Sequence, residues 1–111
     1  MVKKVNKDED DVDYSLNDCL FRGRVSAAAT DRELPSGEHV VEFRLIVTRA
    51  DREGVDTLDI ASWSAKARRA SLSLKAGEWI EVAGSLRRRF WQSPTGLASR
   101  YQIEAESITR L

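Results

Sequence analysis

The stretch EWIEVAGSLRRRFWQ, residues 78–92, alternates in character along its whole length. In an extended chain, Ile80, Val82, Gly84 and Leu86 fall on one side. Glu81, Ala83, Ser85, Arg87, Arg89 and Trp91 fall on the other. This is one long strand with an apolar face that a sheet must cover, and its polar face ends in a row of arginine and tryptophan. SPTG, residues 93–96, is a hairpin signal. The alternation in residues 101–109 then predicts a returning last strand.

Upstream, residues 64–74 lack Gly and Pro, and Ala67, Ala70 and Leu74 fall near helical spacing. They predict a short helix closed by Gly77. Before it, residues 57–62 alternate, with Leu58 and Ile60 inward. Val41, Phe43, Leu45 and Val47 alternate with Glu42, Arg44, Ile46 and Thr48, which is again a half-buried strand. Residues 50–54 read as a loop. Residues 30–38 read as a turn around Leu34-Pro35-Ser36-Gly37. Residues 18–28 read as a first strand bent at Gly23. The expected order is three strands, a helix and two strands. That is an all-β chain with one short helix, arranged as a five-stranded, partly open Greek-key barrel. Residues 1–15 are polar and charge-blocked and are expected to form a disordered acidic arm. Residues 16–111 form the single domain.

The composition excludes several classes. The chain has 111 residues, enough for one core. No apolar run is long enough to span a membrane, and no secretory leader is visible at the start. The lone Cys19 rules out an intrachain disulfide, and the set suggests a cytoplasmic protein without a metal or cofactor. The only histidine, His39, has no nucleophile motif beside it, and no phosphate-loop or zinc-protease motif occurs. The chain reads as a binding protein and not as an enzyme.

Net charge is zero, yet the charges are segregated. Residues 1–18 hold three lysines against six carboxylates. Residues 60–77 and 82–103 contain no acid and carry Lys66, Arg68, Arg69, Lys75, Arg87, Arg88, Arg89 and Arg100. Such segregation creates local potential at zero sum. Binding a single nucleic-acid strand needs cations for phosphates and aromatic faces for bases. Residues 87–91, RRRFW, offer both, with Arg87, Arg89 and Trp91 on the face away from the core. The packing alternative is an arginine stacked on a tryptophan as an internal cation–π pair. Trp63 ends the third strand on a face shared with Thr57, Asp59 and Ala61, so it is expected to be exposed. Trp79 faces outward with Glu81 and suits a subunit contact. Phe21, Phe43 and Phe90 are expected in the core. The candidate nucleic-acid-binding set is Trp63, Arg87, Arg89 and Trp91, with Arg44, Arg49 and Lys66 as further cations.

Taken together, these segments resemble the bacterial single-stranded-DNA-binding protein family. The resemblance rests on NDCLFRGRV at 17–25, LPSG at 34–37 with 40–47, TLDIASW at 57–63, LKAGEWIEVAGSL at 74–86, residues 87–91, and Arg100-Tyr101 with Glu104. It implies an OB-fold that assembles into homotetramers, or sometimes dimers, and holds single strands without sequence preference in replication, recombination or repair. By resemblance, Trp91 matches a stacking tryptophan, Trp63 an aromatic at the end of the third strand, and Arg87 and Arg89 flanking cations. The departures are Asp51 and Thr57 where many members carry further stacking tryptophans, and Asp18 in place of a basic residue. The sequence also shows no Gly/Pro/Gln-rich linker or acidic tip after Leu111, so it is expected to be a short form without a partner-recruiting tail. The expected partners are single-stranded DNA, further copies of the chain, and replication or repair proteins. One alternative is an accessory module similar to primosomal replication protein N, which bridges replication-restart proteins. Another is an oligomerisation module without DNA binding.

Overall fold

The computed structural model describes residues 11–111. Seven elements follow in order: β1 (Cys19–Val25), β2 (Thr30–Glu33), β3 (His39–Thr48), β4 (Val55–Ser62), α1 (Ala65–Leu72), β5 (Trp79–Ser93) and β6 (Gly96–Arg110). The sheet order is β1-β5-β6-β4-β3-β2, and β1 also pairs with β3 through Arg24↔Ile46 and Val25↔Leu45. Five strands thus close a ring, and β2 lies outside it, hydrogen-bonded to β3 alone. The ring closes through a short parallel contact between β4 and β6, at Ile60↔Ile103 and Ala61↔Glu104.

β2 is the element that the residue pattern concealed. TDRE is polar at every position and fully exposed, so no apolar alternation marks it as a strand. It is held by its ladder to β3, by His39 Nδ1 against Asp31 Oδ1 at 2.9 Å, and by Arg32 Nε donating to Glu42 Oε1 at 3.1 Å. The last strand also starts earlier than residue 101, at Gly96, directly after the hairpin turn. The expected acidic arm falls mostly on residues 1–10, outside the described residues. Residues 11–18 carry neither helix nor strand and are exposed.

The interior is filled by Val25, Phe43, Leu45, Ile60, Leu74, Ile80, Val82, Ile103 and Ala105. Removing these aliphatic surfaces from water is the main drive for closure. α1 packs against β3, β4 and β6. Ser64 caps it, accepting from the Ala67 N–H at 3.1 Å. Ser71 is buried and donates to the Ala67 carbonyl at 2.8 Å, which leaves its oxygen to accept from the buried Ser62 hydroxyl, also at 2.8 Å. Two glycines allow strands to cross closely. A methyl group on Gly84 would collide with the Glu104 carbonyl, and one on Gly23 with the Ile46 carbonyl. Gly84 sits where the β5–β6 register shifts from Ala83↔Ser107 to Gly84↔Ala105, leaving Glu106 as the extra residue.

β5 and β6 together outrun the barrel. Up to Ser85, their residues close the core. On β6 the burial reaches Ile103 and Gln102, opposite Leu86 and Arg87; beyond them the two strands continue as a ribbon open on both faces. Leu86 is already 42% exposed. This is why Phe90, expected in the core, is 57% exposed: its side is the inner one, but the interior has ended. Phe43 is buried, and Phe21 is half-buried against the core.

Candidate nucleic-acid interface

The β5–β6 ladder fixes which side chains share a face. Arg87 sits opposite Gln102, Arg89 opposite Arg100, and Trp91 opposite Ala98. On the neighbouring strands, Glu42 is opposite Ala61 and Arg44 is opposite Asp59, on the face turned away from the core. These residues form one continuous surface. A groove runs along it between the hairpin and the β2–β3 turn. Trp91, Arg89, Arg100 and Gln102 line one wall, and Arg32, Leu34, Pro35 and Glu42 line the other. Trp91 is 48% exposed at this wall, so part of its ring is open to a ligand.

The arginines differ in what holds them. Asp59 accepts from Arg44 Nε at 3.2 Å and approaches Arg100 Nη2 at 2.9 Å, bridging two cations. Glu42 accepts from Arg32 and, at 2.6 Å, from Gln102 Nε2. Gln102 is buried, and its Oε1 has no partner. Arg87 lies 3.9 Å from Glu104, too far for a good hydrogen bond. Arg89 has no carboxylate partner among the described residues. Its guanidinium lies over Trp63, 4.6 Å from the ring centroid. The cation–π pair weighed from the sequence therefore exists, but between Arg89 and Trp63. It leaves Trp91 unstacked by that arginine.

Trp63 follows the end of β4, directly before the helix cap. It is half-buried, where exposure had been expected. Of the seven candidate residues, Arg89 and Trp91 line the groove, and Trp63 reaches it through Arg89. Arg87 shares the face. Arg44 borders an adjoining groove with Asp59 and Arg100. Arg49 lies past the far end of β3, paired to Asp56 at 3.1 Å, and Lys66 is exposed on the first turn of α1; neither lines a groove. The sequence reading missed Arg32, Glu42, Asp59 and Gln102. Nothing in local alternation shows that β4 and β6 meet, and that contact brings Asp59 to Arg100.

The comparisons with known proteins agree with this architecture. The chain superposes on a solved structure described as Plasmodium falciparum SSB complex with ssDNA, with a TM-score of 0.68. The two share 20% identity over 90% of this chain and 98% of that one, a likeness of fold. It is one of 180 matching chains of solved structures. No curated protein sequence matches. The sequence model described as Single-strand binding protein family matches residues 16–111, so the chain belongs to that family, whose members bind nucleic acid and are not enzymes.

Proposed function

We propose that the chain binds single-stranded DNA without sequence preference. Bases stack on Trp91, and phosphates run along Arg87, Arg89 and Arg100. The observation that carries this reading is the groove itself, where a half-exposed tryptophan and the carboxylate-free Arg89 share one wall. Stacking tolerates every base because every base has a π-face, and each stack contributes about 1–3 kcal/mol. The family membership supports the same ligand. Arg44, Arg32 and Arg100 enter more weakly, because each must first leave a carboxylate. Trp63 holds Arg89 in place, and in this reading it orients the cation more than it stacks a base. Arg49 and Lys66 serve only a strand that continues beyond the groove.

A homo-oligomer, tetramer before dimer, suits this role in replication, recombination or repair, since several grooves then share one strand. The exposed Trp79 and the part of the β1 edge that β3 does not pair, Cys19 to Gly23, are the surfaces offered for assembly. The deciding experiment is titration with oligo-dT and with oligo-rU, following tryptophan fluorescence at two salt concentrations. Quenching that saturates, with affinity falling as salt rises, is the expected result for oligo-dT. No quenching and no salt dependence would remove the groove as a nucleic-acid site. Equal affinity for oligo-rU would make the protein a general single-strand binder.

A further inference from the structure

The reverse face of the β5–β6 ribbon carries a second aromatic and cationic cluster. Arg88 and Phe90 project there with their ladder partners Tyr101 and Ser99. Phe90 and Tyr101 are each 57% exposed. The Arg88 guanidinium lies 4.9 Å from the Phe90 ring centroid and 5.5 Å from that of Tyr101. Arg88 donates to the Ser99 hydroxyl from Nε at 3.2 Å and from Nη2 at 3.0 Å. No carboxylate pairs with it among the described residues. Two open rings thus flank one unneutralised cation.

The two faces are joined at the free edge of β5. The Asn17 side chain imitates a strand residue there: its Nδ2 donates to the Leu86 carbonyl at 2.7 Å, and its Oδ1 accepts from the Leu86 N–H at 2.9 Å. By the alternation of an antiparallel ladder, the N–H groups of Arg88, Phe90 and Gln92 point to this same side. Among the described residues, no strand pairs with them there. Phe90 also borders the Trp91 groove, so one residue of the reverse-face cluster touches both surfaces.

We propose that the reverse face is a second contact surface for the same single strand. The strand crosses the ribbon from Trp91 to Phe90 and Tyr101, its bases stacking on these rings while phosphates meet Arg88 and the free N–H groups. The proposal rests on the reading that the Trp91 face binds single-stranded DNA. A single strand suits the cluster better than a second copy of the chain. Protein interfaces too are rich in Arg, Tyr and Phe, so the choice rests on Arg88, which stands at the centre of this patch without a carboxylate among the described residues and beside a row of free N–H groups that call for an anion. A chain of phosphates and planar bases satisfies the cation and the rings together. A duplex keeps its base faces stacked inside and offers only the phosphates.

The test uses the full chain with two oligo-dT lengths, about 5 and about 16 nucleotides, which bracket what one OB-fold holds. The variant Tyr101→Ala, which does not touch the Trp91 groove, is expected to bind the longer strand roughly ten-fold more weakly and the shorter one unchanged. In parallel, the unaltered protein is photo-cross-linked to the longer strand carrying iodo-deoxyuridine. Cross-links at Phe90 or Tyr101 are expected. Cross-links confined to the Trp91 face would overturn the proposal, whatever the variant does to affinity. If light scattering then showed a changed mass for the variant, the patch would be a contact between copies. If the unaltered protein bound neither oligonucleotide, the Trp91 reading itself would fail, and the reverse face with it.

Discussion

Trp91 and Phe90 are neighbours in the chain on opposite sides of one ribbon, and they show how far alternation reaches. Alternation assigns a side; it does not say where the barrel ends, and so Phe90 was legible as inward but not as exposed. Trp91 was legible in full, since an outward tryptophan beside two arginines has no packing partner in its own strand. Trp91→Ala is expected to weaken oligo-dT binding by about 1–3 kcal/mol, with an unchanged melting temperature because the ring is half-exposed already. Unchanged affinity in a fluorescence-anisotropy titration would take Trp91 out of the site. Asp59 was legible on the outward face with Trp63, but not as the partner of Arg100. Its position opposite Arg44 follows from the β3–β4 hairpin, but its bond to Arg100 needs the β4–β6 crossing. A carboxylate that holds two arginines stands in for the phosphate they would otherwise meet. Asp59→Asn frees both cations, so binding to oligo-dT is expected to tighten and to depend more steeply on salt. A weaker binder with the same salt slope would show instead that Asp59 positions the arginines productively.

At the scale of elements, the strands with one apolar face and the short helix were legible, and β2 was not. β3 and β5 announce themselves because burial imposes period two on them; β2 is exposed throughout, so nothing imposes a pattern on it. The helix is tied to the sheet by an interaction that no pattern foretells, the relay from Ser62 through Ser71 to the Ala67 carbonyl. Ser71→Ala strands the Ser62 hydroxyl in a fully buried site and is expected to cost about 1–3 kcal/mol in denaturant unfolding. Adding Ser62→Ala removes the stranded donor, so the double variant should be less destabilised than the sum of the two single ones. Strict additivity would mean that the hydroxyls are not coupled. After α1, Glu78 ties the start of β5 to the C-terminal strand. Its carboxyl is held below its ordinary value, first by the hydrogen bond from Arg110 at 2.6 Å and then by the Lys75 N–H. A carboxyl with a lowered folded-state pKa stabilises the fold above its unfolded value, and this contribution is lost as pH falls through the folded one. Melting temperature should therefore fall on acidification below about pH 4.3. Glu78→Gln should lower it at neutral pH and flatten that fall. An equally steep acid limb in the variant would assign the acid sensitivity to other carboxylates.

For the whole molecule, zero net charge conceals a separation in the sequence that the fold partly undoes. Residues 82–103 hold no acid, yet folding brings Glu104 towards Arg87 and Asp59 to Arg100. Only Arg88 and Arg89 of that window remain without a carboxylate among the described residues, and they lie on opposite faces of the ribbon. The remaining separation lies between this ribbon and the N-terminal segment, where Asp8, Glu9, Asp10, Asp11 and Asp13 fall within six residues. The fold places the root of that segment, because Asn17 is clamped to Leu86, the residue before Arg87. Carboxylates tethered about ten residues from an arginine row meet it at an effective concentration near millimolar. Competition there with phosphate for Arg87, Arg88 and Arg89 is the expected consequence. The competition is electrostatic between exposed groups, so it is strongest at low ionic strength and fades as the screening length shrinks to about 8 Å at physiological salt. A chain starting at Ser15 is expected to bind oligo-dT several-fold more tightly than the full chain at low salt, with the difference shrinking as salt is added. The same truncation should leave the melting temperature unchanged, because the Asn17 clamp and the barrel are retained. Equal affinities for the two chains at low salt would show that the acidic segment acts only on solubility. A gain that persisted undiminished at high salt would point to steric blocking by the segment rather than to its charge.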